Sequence, residues 1–387
     1  MSRMYGPFNV YWGVLIVFYP FITGLVAGAF IVSTLAYVFG KEQYVAIAKL
    51  ALIISTLFAV ICSIPLIADL GQPTRALEIF TRSHFASPMS VFGWVLGSYI
   101  ILCVVEGWFL FREGNIKRSG MHVGIKRSFY SLLALGSEDL SESSLNRDKT
   151  VIKALGFIGI PLASIVHAYV GLIFGAVTGR ALWMTPLMPL IFLSSAIISG
   201  IALLIVVSII MEKFFTSKKK INRELMYSLG GLLAWVILFD LSLNVLEIIT
   251  RFFAGVEEWF AMSLLLTGEL SFSFVWVQII MGLVIPVIML SIPSVRRSIA
   301  GEVIASLFVL IGVFAMRWNV VIGGQLIPRT GQAFLTYAME SKDLSALISI
   351  GALGLFLYMI GVWILPWEYE APTGLVKTNL DGGIEDG

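Results

Sequence analysis

Long apolar stretches alternate with short polar connections along almost the whole chain. Nine stretches are mainly apolar and hold about 20 residues or more, which is enough for a helix to cross the roughly 30 Å hydrocarbon layer of a membrane. They lie at 10–39, 45–68, 88–111, 151–177, 186–211, 225–250, 270–293, 299–322 and 344–366. The pattern predicts an all-α integral membrane protein with about nine transmembrane helices.

Composition agrees with this class, because 58% of the residues are hydrophobic and only 13% are charged. Such a balance is typical of a protein that crosses the membrane several times. The formal net charge is +2. A charge this small needs no nucleic-acid partner to explain it.

The basic residues predict the orientation in the cytoplasmic membrane. Nine spans sort the loops into two sets, and one set carries 8 of the 26 Lys and Arg residues while the other carries 18. The positive-inside rule places the richer set in the cytoplasm. We therefore expect the N-terminus and the loop 69–87 outside, and the C-terminus inside. The first nine residues lack a basic n-region and a cleavage site, so the first helix is expected to be kept.

The largest polar segment, 112–150, is expected to form a cytoplasmic loop. It divides the protein into a first bundle at 1–177, a second bundle at 178–322, and a last helix with a cytoplasmic tail at 323–387. The predicted architecture is two four-helix bundles plus an extra helix.

Residues that ligate redox metals are scarce. His84, His122 and His167 fall in three different segments, so no pair shares a span at the spacing that holds haem. Cys62 and Cys103 are too few for an iron–sulfur cluster or a structural zinc site, and we expect both to be small core residues. The sequence predicts no metal site, haem or iron–sulfur cluster in this chain.

Polar residues in the sixth span form a candidate proton route. Asp240, Asn244 and Glu247 are spaced by four and three, which places them on one helix face. Ionisable groups at membrane depth are costly and mark functional sites by default. The alternative is a structural network in which Glu247 pairs with Arg317 of the eighth span. Both readings stay open at this point.

A second polar set gathers at the outer ends of the first four helices. It comprises Tyr11, Trp12, Tyr19, Asp69, His84, His167 and Tyr169. Tyrosine, histidine and carboxylate are the groups a quinone requires, because its carbonyls take hydrogen-bond donors and its redox chemistry moves protons. The alternative for the aromatic residues is an interfacial belt.

One connection carries a family resemblance. The run Asp-Leu-Gly-Gln-Pro at 69–73, followed by Ser-Pro-Met-Ser at 87–90, resembles the signature loop of the NrfD/PsrC family. These are the quinone-interacting membrane subunits of polysulfide reductase and related respiratory complexes. Shorter matches occur at Tyr169-Val-Gly-Leu and Arg317-Trp-Asn. The nine-helix form looks more like the hydrogenase and sulfite-reduction-associated branch than like the eight-helix members.

The resemblance implies a bound menaquinone or ubiquinone near the outer face, beside a ferredoxin-like iron–sulfur subunit and further redox subunits such as a cytochrome or a catalytic protein. Position by position, Asp69 and Gly71 match the family's acidic turn, and Tyr169 matches its fourth-helix tyrosine. Tyr19 stands where some members have a histidine. His167 is an alternative partner for the quinone, although it points about 200° away from Tyr169.

The resulting hypothesis is a quinone-interacting subunit of a respiratory oxidoreductase complex. Tyr169 with Tyr19 or His167 would hold the quinone, Asp69 would exchange a proton, and electrons would pass to an extracytoplasmic iron–sulfur partner. Proton translocation through the second bundle would be an addition. The alternatives are a secondary transporter and a passive membrane anchor of a redox complex. Changing Asp69, Asp240 and Glu247 to amides discriminates, because a passive anchor would keep quinol activity in each variant.

Overall fold

The computed structural model describes residues 10–41, 44–215, 223–327 and 334–367. In these ranges nine helices are long and apolar enough to cross a membrane, which confirms the predicted class and helix number. They are α1 Val14–Tyr37, α2 Ile47–Asp69, α3 Pro88–Met121, α4 Glu142–Gly175, α5 Met188–Lys213, α6 Arg223–Ala254, α7 Phe272–Ser291, α8 Ile299–Leu326 and α9 Ser341–Ile364. We call the face at which α1 begins the outer face; its orientation in the cell stays a prediction.

Helices α3 and α4 extend into the expected loop at 112–150 from both sides. The connection between them spans only 122–141 and holds one short helix, Ile125–Leu133. The charged residues that ended the apolar stretches continue the helices instead, because Arg112 and Asp148 form a buried ion pair at 2.6 Å between the extensions. Ser144 accepts a further hydrogen bond from the guanidinium at 2.7 Å. Both ends of the predicted loop are therefore helical.

Helix α1 is the centre of the assembly and packs against α2, α4 and α5. At the crossing with α5, Gly28 faces Ala196 and Gly200, and a Cβ on Gly28 would collide with the backbone of both. Small residues of this kind let helix backbones approach closely in a membrane. The crossing joins helices assigned to the two predicted bundles, and the division of the protein into those bundles stays a prediction.

The start of α1 is tied to α8 and to the connection after α4. The Gln325 side chain accepts from the backbone N–H groups of Tyr11 and Trp12, both at 3.0 Å, and donates to the Trp12 carbonyl at 2.9 Å. The Trp12 ring stacks on Trp183 with centroids 5.5 Å apart. These contacts fix the outer end of α1 against α8.

Helices α7 and α8 contain wide π-helical turns, at Phe272–Val284 and Asn319–Gly323. The two helices approach at Gly282 and Gly312, where a Cβ on either would meet the other's backbone. A π-helical turn shifts side chains around the axis and is frequent at functional sites. Here the turns carry Gln278 and Asn319, both buried.

Candidate functional site

Three aromatic residues meet near the outer ends of α1, α3 and α4. The Tyr19 ring packs edge-on against Phe92 at 5.7 Å, and Phe92 stacks with Tyr169 at 6.3 Å. Tyr19 is 5% exposed, and its hydroxyl has no hydrogen-bond partner within the part of the protein that the structure describes. Tyr169 is half-buried. The structure thus joins two of the predicted quinone residues through Phe92, which sequence reasoning missed.

The signature loop, which runs from 69 to 90, lies at the outer face and is largely exposed. Asp69, Gly71 and His84 are all exposed. The short helical turns after Gly71 are held by Arg75, which donates to both Glu78 carboxylate oxygens at 2.8 and 2.9 Å. This hydrogen-bonded guanidinium lowers the pKa of Glu78. The loop therefore presents a paired charge and an acidic residue at the outer surface.

Tyr337, in the connection before α9, is a neighbour of Asp69 that the sequence did not indicate. Its hydroxyl accepts a hydrogen bond from the Val14 N–H at 3.1 Å, at the start of α1. Burial raises the pKa of Tyr337, and the carboxylates of Asp343 and Asp69 add to the rise. The Asp69 loop, the start of α1 and the start of α9 thus share one electrostatic environment.

His167 lies on a different side of α4 from Tyr169 and points away from the aromatic cluster. It is fully buried, and its Nε2 lies 2.8 Å from an Arg317 guanidinium nitrogen of α8. The guanidinium also donates to Ser195 of α5 at 2.7 Å and lies 4.0 Å from the centroid of the Phe192 ring. Arg317 therefore bridges α4, α5 and α8.

The expected pairing of Glu247 with Arg317 is wrong. Glu247 instead forms an ion pair at 2.7 Å with Arg251, one turn further along the same helix. Arg251 also donates to the carbonyls of Ala181 and Leu182, at 2.5 and 2.8 Å. Arg317 and Glu247 lie at a similar distance from the outer ends of their helices, which suggested the pairing. That distance does not determine which way a side chain points around the helix axis. On α8 the Arg317 side chain points toward α4. The i, i+4 spacing of Glu247 and Arg251 was the available signal.

Asp240 and Asn244 lie in a series of hydrogen bonds between helices α5, α6, α7 and α8. Asp240 accepts from the Ser194 hydroxyl of α5 and, at 3.1 Å, from the Asn244 amide. The Asn244 oxygen accepts from Gln278 at 3.2 Å, and the Gln278 oxygen accepts from Asn319 at 2.9 Å. Arg317 is close enough to Asp240 to interact with it electrostatically. The series therefore links α5, α6, α7 and α8.

A cavity of about 50 Å³ adjoins this hydrogen-bonded series. Its walls are apolar except for four residues, which are Asn244, Glu247, Gln278 and Asn319. One Glu247 oxygen has no hydrogen-bond partner among the described residues. A cavity of this size has room for a few water molecules beside its four polar side chains.

Both cysteines are buried and free, as expected for core residues. No group of three or more His, Cys, Asp and Glu residues is arranged to hold a metal ion in the described ranges. The roles of Tyr19, Asp69, Gly71, His84, His167 and Tyr169 at a quinone stay predictions. So do the roles of Asp240, Asn244, Glu247 and Arg317 in a proton route.

Comparison with known proteins shows the family to which this chain belongs. The protein is 32% identical over 374 residues to a selenate reductase subunit of Mesobacillus selenatarsenatis, covering 92% of this chain and 85% of the relative. It is 27% identical over 336 residues to a subunit of the polysulfide reductase of Wolinella succinogenes, covering 84% and 99%. It is 24% identical over 326 residues to the Hdr-like menaquinol oxidoreductase integral membrane subunit of Archaeoglobus fulgidus, covering 83% and 72%. The model of the family described as polysulphide reductase, NrfD, matches residues 4–329, so the chain belongs to this family of membrane proteins.

Proposed function

We propose that this protein is the quinone-interacting membrane subunit of a respiratory oxidoreductase complex. It exchanges electrons between a menaquinone or ubiquinone pool and an iron–sulfur subunit docked at the outer face. Membership in a family of reductase-complex membrane subunits supports the general role. The name of the Archaeoglobus relative, a menaquinol oxidoreductase subunit, supports the quinone.

The Tyr19 hydroxyl is the observation that carries the proposal. It is a buried donor without a partner in the described structure, and it lies in an aromatic cluster whose other end, Tyr169, is half-exposed. A buried hydroxyl without a hydrogen bond is costly, so such groups call for an explanation. A quinone carbonyl supplies the missing acceptor, and the Phe92 face supplies an apolar surface for its ring.

The roles follow from the chemistry of the groups. Tyr19 and Tyr169 donate to the quinone carbonyls, and Asp69 exchanges protons at the exposed outer edge. Gly71 keeps the signature loop open beside Asp69, since nothing lies within 4 Å of where its Cβ would be. His84 lies exposed on the same loop, and His167 is oriented by Arg317 behind the cluster.

An electron partner is required because the quinone accepts or donates two electrons while this protein has few side chains that bind redox metals. The iron–sulfur subunit would dock on the outer loop around Arg75 and Glu78, close to the quinone. Further redox subunits, such as a cytochrome or a catalytic protein, would complete the complex. The direction of electron flow and the terminal substrate belong to those subunits.

Proton translocation through the second bundle is the finer part of the proposal. Its support is the hydrogen-bonded series from Asp240 to Asn319, which borders a small cavity that also reaches Glu247. Arg317 connects that series to His167, two residues from Tyr169. A change of charge at the quinone would therefore reach the second bundle through one buried cation.

The test uses the intact complex, purified from native membranes in mild detergent and assayed for subunits, iron and extracted quinone. The variant is Tyr19→Phe, which removes a hydroxyl that has no partner in the described structure. We expect unchanged thermal stability and about a tenfold weaker quinone affinity, the equivalent of one hydrogen bond. The matched control is Tyr44→Phe, because the Tyr44 hydroxyl bonds to Ser228 at 3.0 Å, far from the cluster.

The control should lose some stability and keep its quinone affinity. A complex that contains neither iron nor quinone would contradict the redox proposal and favour a transporter. Wild-type quinone affinity in Tyr19→Phe would contradict the assigned site while leaving the family membership intact.

A further inference from the structure

Glu106 is a buried carboxyl group that the quinone site and the second-bundle route leave unused. It is 1% exposed, and neither carboxyl oxygen has a hydrogen-bond partner in the described residues. It faces Gly156 of α4, where a Cβ would lie 3.7 Å from a Glu106 oxygen. An isolated buried carboxylate is very costly, so such a group keeps its proton instead of its charge. Glu106 therefore holds a proton, and no acceptor for that proton lies within hydrogen-bond distance in the described structure.

The position of Glu106 suits an entrance from the predicted cytoplasmic side. It follows Pro88, at the outer end of α3, by eighteen residues, which is about 27 Å along a helix axis. The hydrocarbon layer is about 30 Å thick. Tyr37, at the inner end of α1, interacts with Glu106 electrostatically, and its buried hydroxyl also lacks a described partner. Two buried groups without a partner in the described structure thus lie near the inner ends of α1 and α3.

A row of buried hydroxyl groups leads outward from Glu106. Tyr99 lies two turns away on the same helix and shares a 2.7 Å hydrogen bond with Ser55 of α2. Ser55 also donates to the carbonyl of Val26 in α1 at 3.0 Å, about two turns inward from Tyr19. The Tyr19 hydroxyl is buried and has no partner in the described structure. Buried hydroxyl groups therefore occur at intervals of about two turns between Glu106 and the proposed quinone site.

We infer that Glu106 is a proton-exchanging residue that connects the quinone in the first bundle with the cytoplasmic side of the membrane. The inference rests on the proposed quinone function and adds to it the side on which protons are exchanged. It requires mobile water between Glu106, the Tyr99–Ser55 pair and Tyr19, because these groups lie about two helix turns apart. Glu106 is distinct from the second-bundle carboxylates, which belong to α6.

The chemistry balances with the partner already proposed. Reduction of one quinone takes two electrons from the iron–sulfur subunit and two protons, and it forms two O–H bonds. Oxidation of the quinol reverses each transfer. In either direction Glu106 passes one proton at a time and regains its initial state after each transfer. No further oxidant or reductant is required.

The experiment compares wild-type complex with Glu106→Gln and Glu106→Leu in proteoliposomes that contain quinone. Quinone turnover is driven by a chemical redox partner of the iron–sulfur subunit, and pH dyes report protons on each side of the membrane. Glu113→Gln is the matched control, because Glu113 lies on the same helix and pairs with Lys117 at 2.6 Å. Thermal stability and bound quinone are measured for every variant.

We expect turnover and proton exchange on the cytoplasmic side to fall at least about tenfold in Glu106→Gln and Glu106→Leu. Bound quinone should be unchanged in both variants, and Glu106→Leu should be at least as stable as wild type because it removes a buried polar group that has no partner in the described structure. Glu106→Asp, which keeps a carboxyl group, should retain part of the activity and serves if either other variant fails to fold. Glu113→Gln should match wild type.

Two outcomes would overturn the inference. If the Glu106→Gln complex turns over at the wild-type rate with the same protons on the same side, Glu106 is only a structural acid and the quinone function stands. If the wild-type complex itself shows no quinone turnover, the proposed function fails and this inference fails with it.

Discussion

Replacing Arg251 with methionine should destabilise the protein strongly, because one guanidinium satisfies three buried acceptors. It donates to Glu247 at 2.7–2.8 Å and to the carbonyls of Ala181 and Leu182. The Arg251 side chain is 3% exposed and that of Glu247 is 11% exposed. Removing one member of a buried ion pair costs about 3–5 kcal/mol, since the remaining charge is left without compensation. We expect a loss in that range for Arg251→Met.

A second variant separates the ion pair from the carbonyl contacts. In Glu247→Gln/Arg251→Met the lost cation no longer leaves a buried charge, so the double variant should be more stable than Arg251→Met alone. The surface pair Arg75–Glu78 is the comparison, because its side chains are 57% and 33% exposed. Exposed pairs contribute about 1 kcal/mol or less, and Arg75→Met should be nearly neutral.

The free energies can be followed by thermal unfolding in detergent with a thiol-reactive dye. Cys62 and Cys103 are both buried and free, so labelling reports loss of the folded state. A midpoint for Arg251→Met equal to that of Arg75→Met would refute the structural role of the pair. A double variant as unstable as the single one would show that the lost carbonyl contacts, and not the uncompensated charge, dominate.

Three further predictions concern the packing of the bundle. Gly28→Leu should prevent stable folding, because a side chain there collides with the α5 backbone. The purified yield and the unfolding midpoint test this. The control is Gly120→Ala, because the added Cβ would lie in open space. Gln325→Leu should raise hydrogen exchange of the backbone amides at residues 11 and 12 about tenfold, the equivalent of one hydrogen bond; unchanged exchange would refute the tether. Arg317→Lys should destabilise the protein by about 1–3 kcal/mol in the same dye assay, since lysine cannot reproduce planar stacking and two directed donors; full stability would show that only the charge matters.

Much of the fold follows from the length of the apolar stretches. Each of the nine spans contains an apolar run long enough to cross the hydrocarbon layer. The number of transmembrane helices could therefore be predicted from the sequence. The ends were less readable where water-exposed helix continues past the membrane. Arg112 reads as the end of a span, yet it continues α3 because Asp148 of α4 neutralises it.

Contacts within the candidate site depend on helix rotation, which periodicity gives only within one helix. The shared face of Asp240 and Asn244 was readable, and both are buried in one hydrogen-bonded series. The partner of Glu247 was not, because depth along α8 says nothing about the direction in which Arg317 points. Phe92 was hidden among many similar aromatics, and only the packing of α3 between α1 and α4 selects it.

The central claim is that a quinone binds in the aromatic cluster of Tyr19, Phe92 and Tyr169. The most direct measurement is photolabelling of the native complex with an azido-quinone, followed by peptide mapping and competition with unlabelled quinone. We expect competed label on α1, α3 or α4 close to Tyr19, Phe92 and Tyr169, and loss of most of that label in Tyr19→Phe. Competed label confined to α6, α7 and α8, or label that quinone does not compete, would contradict the claim.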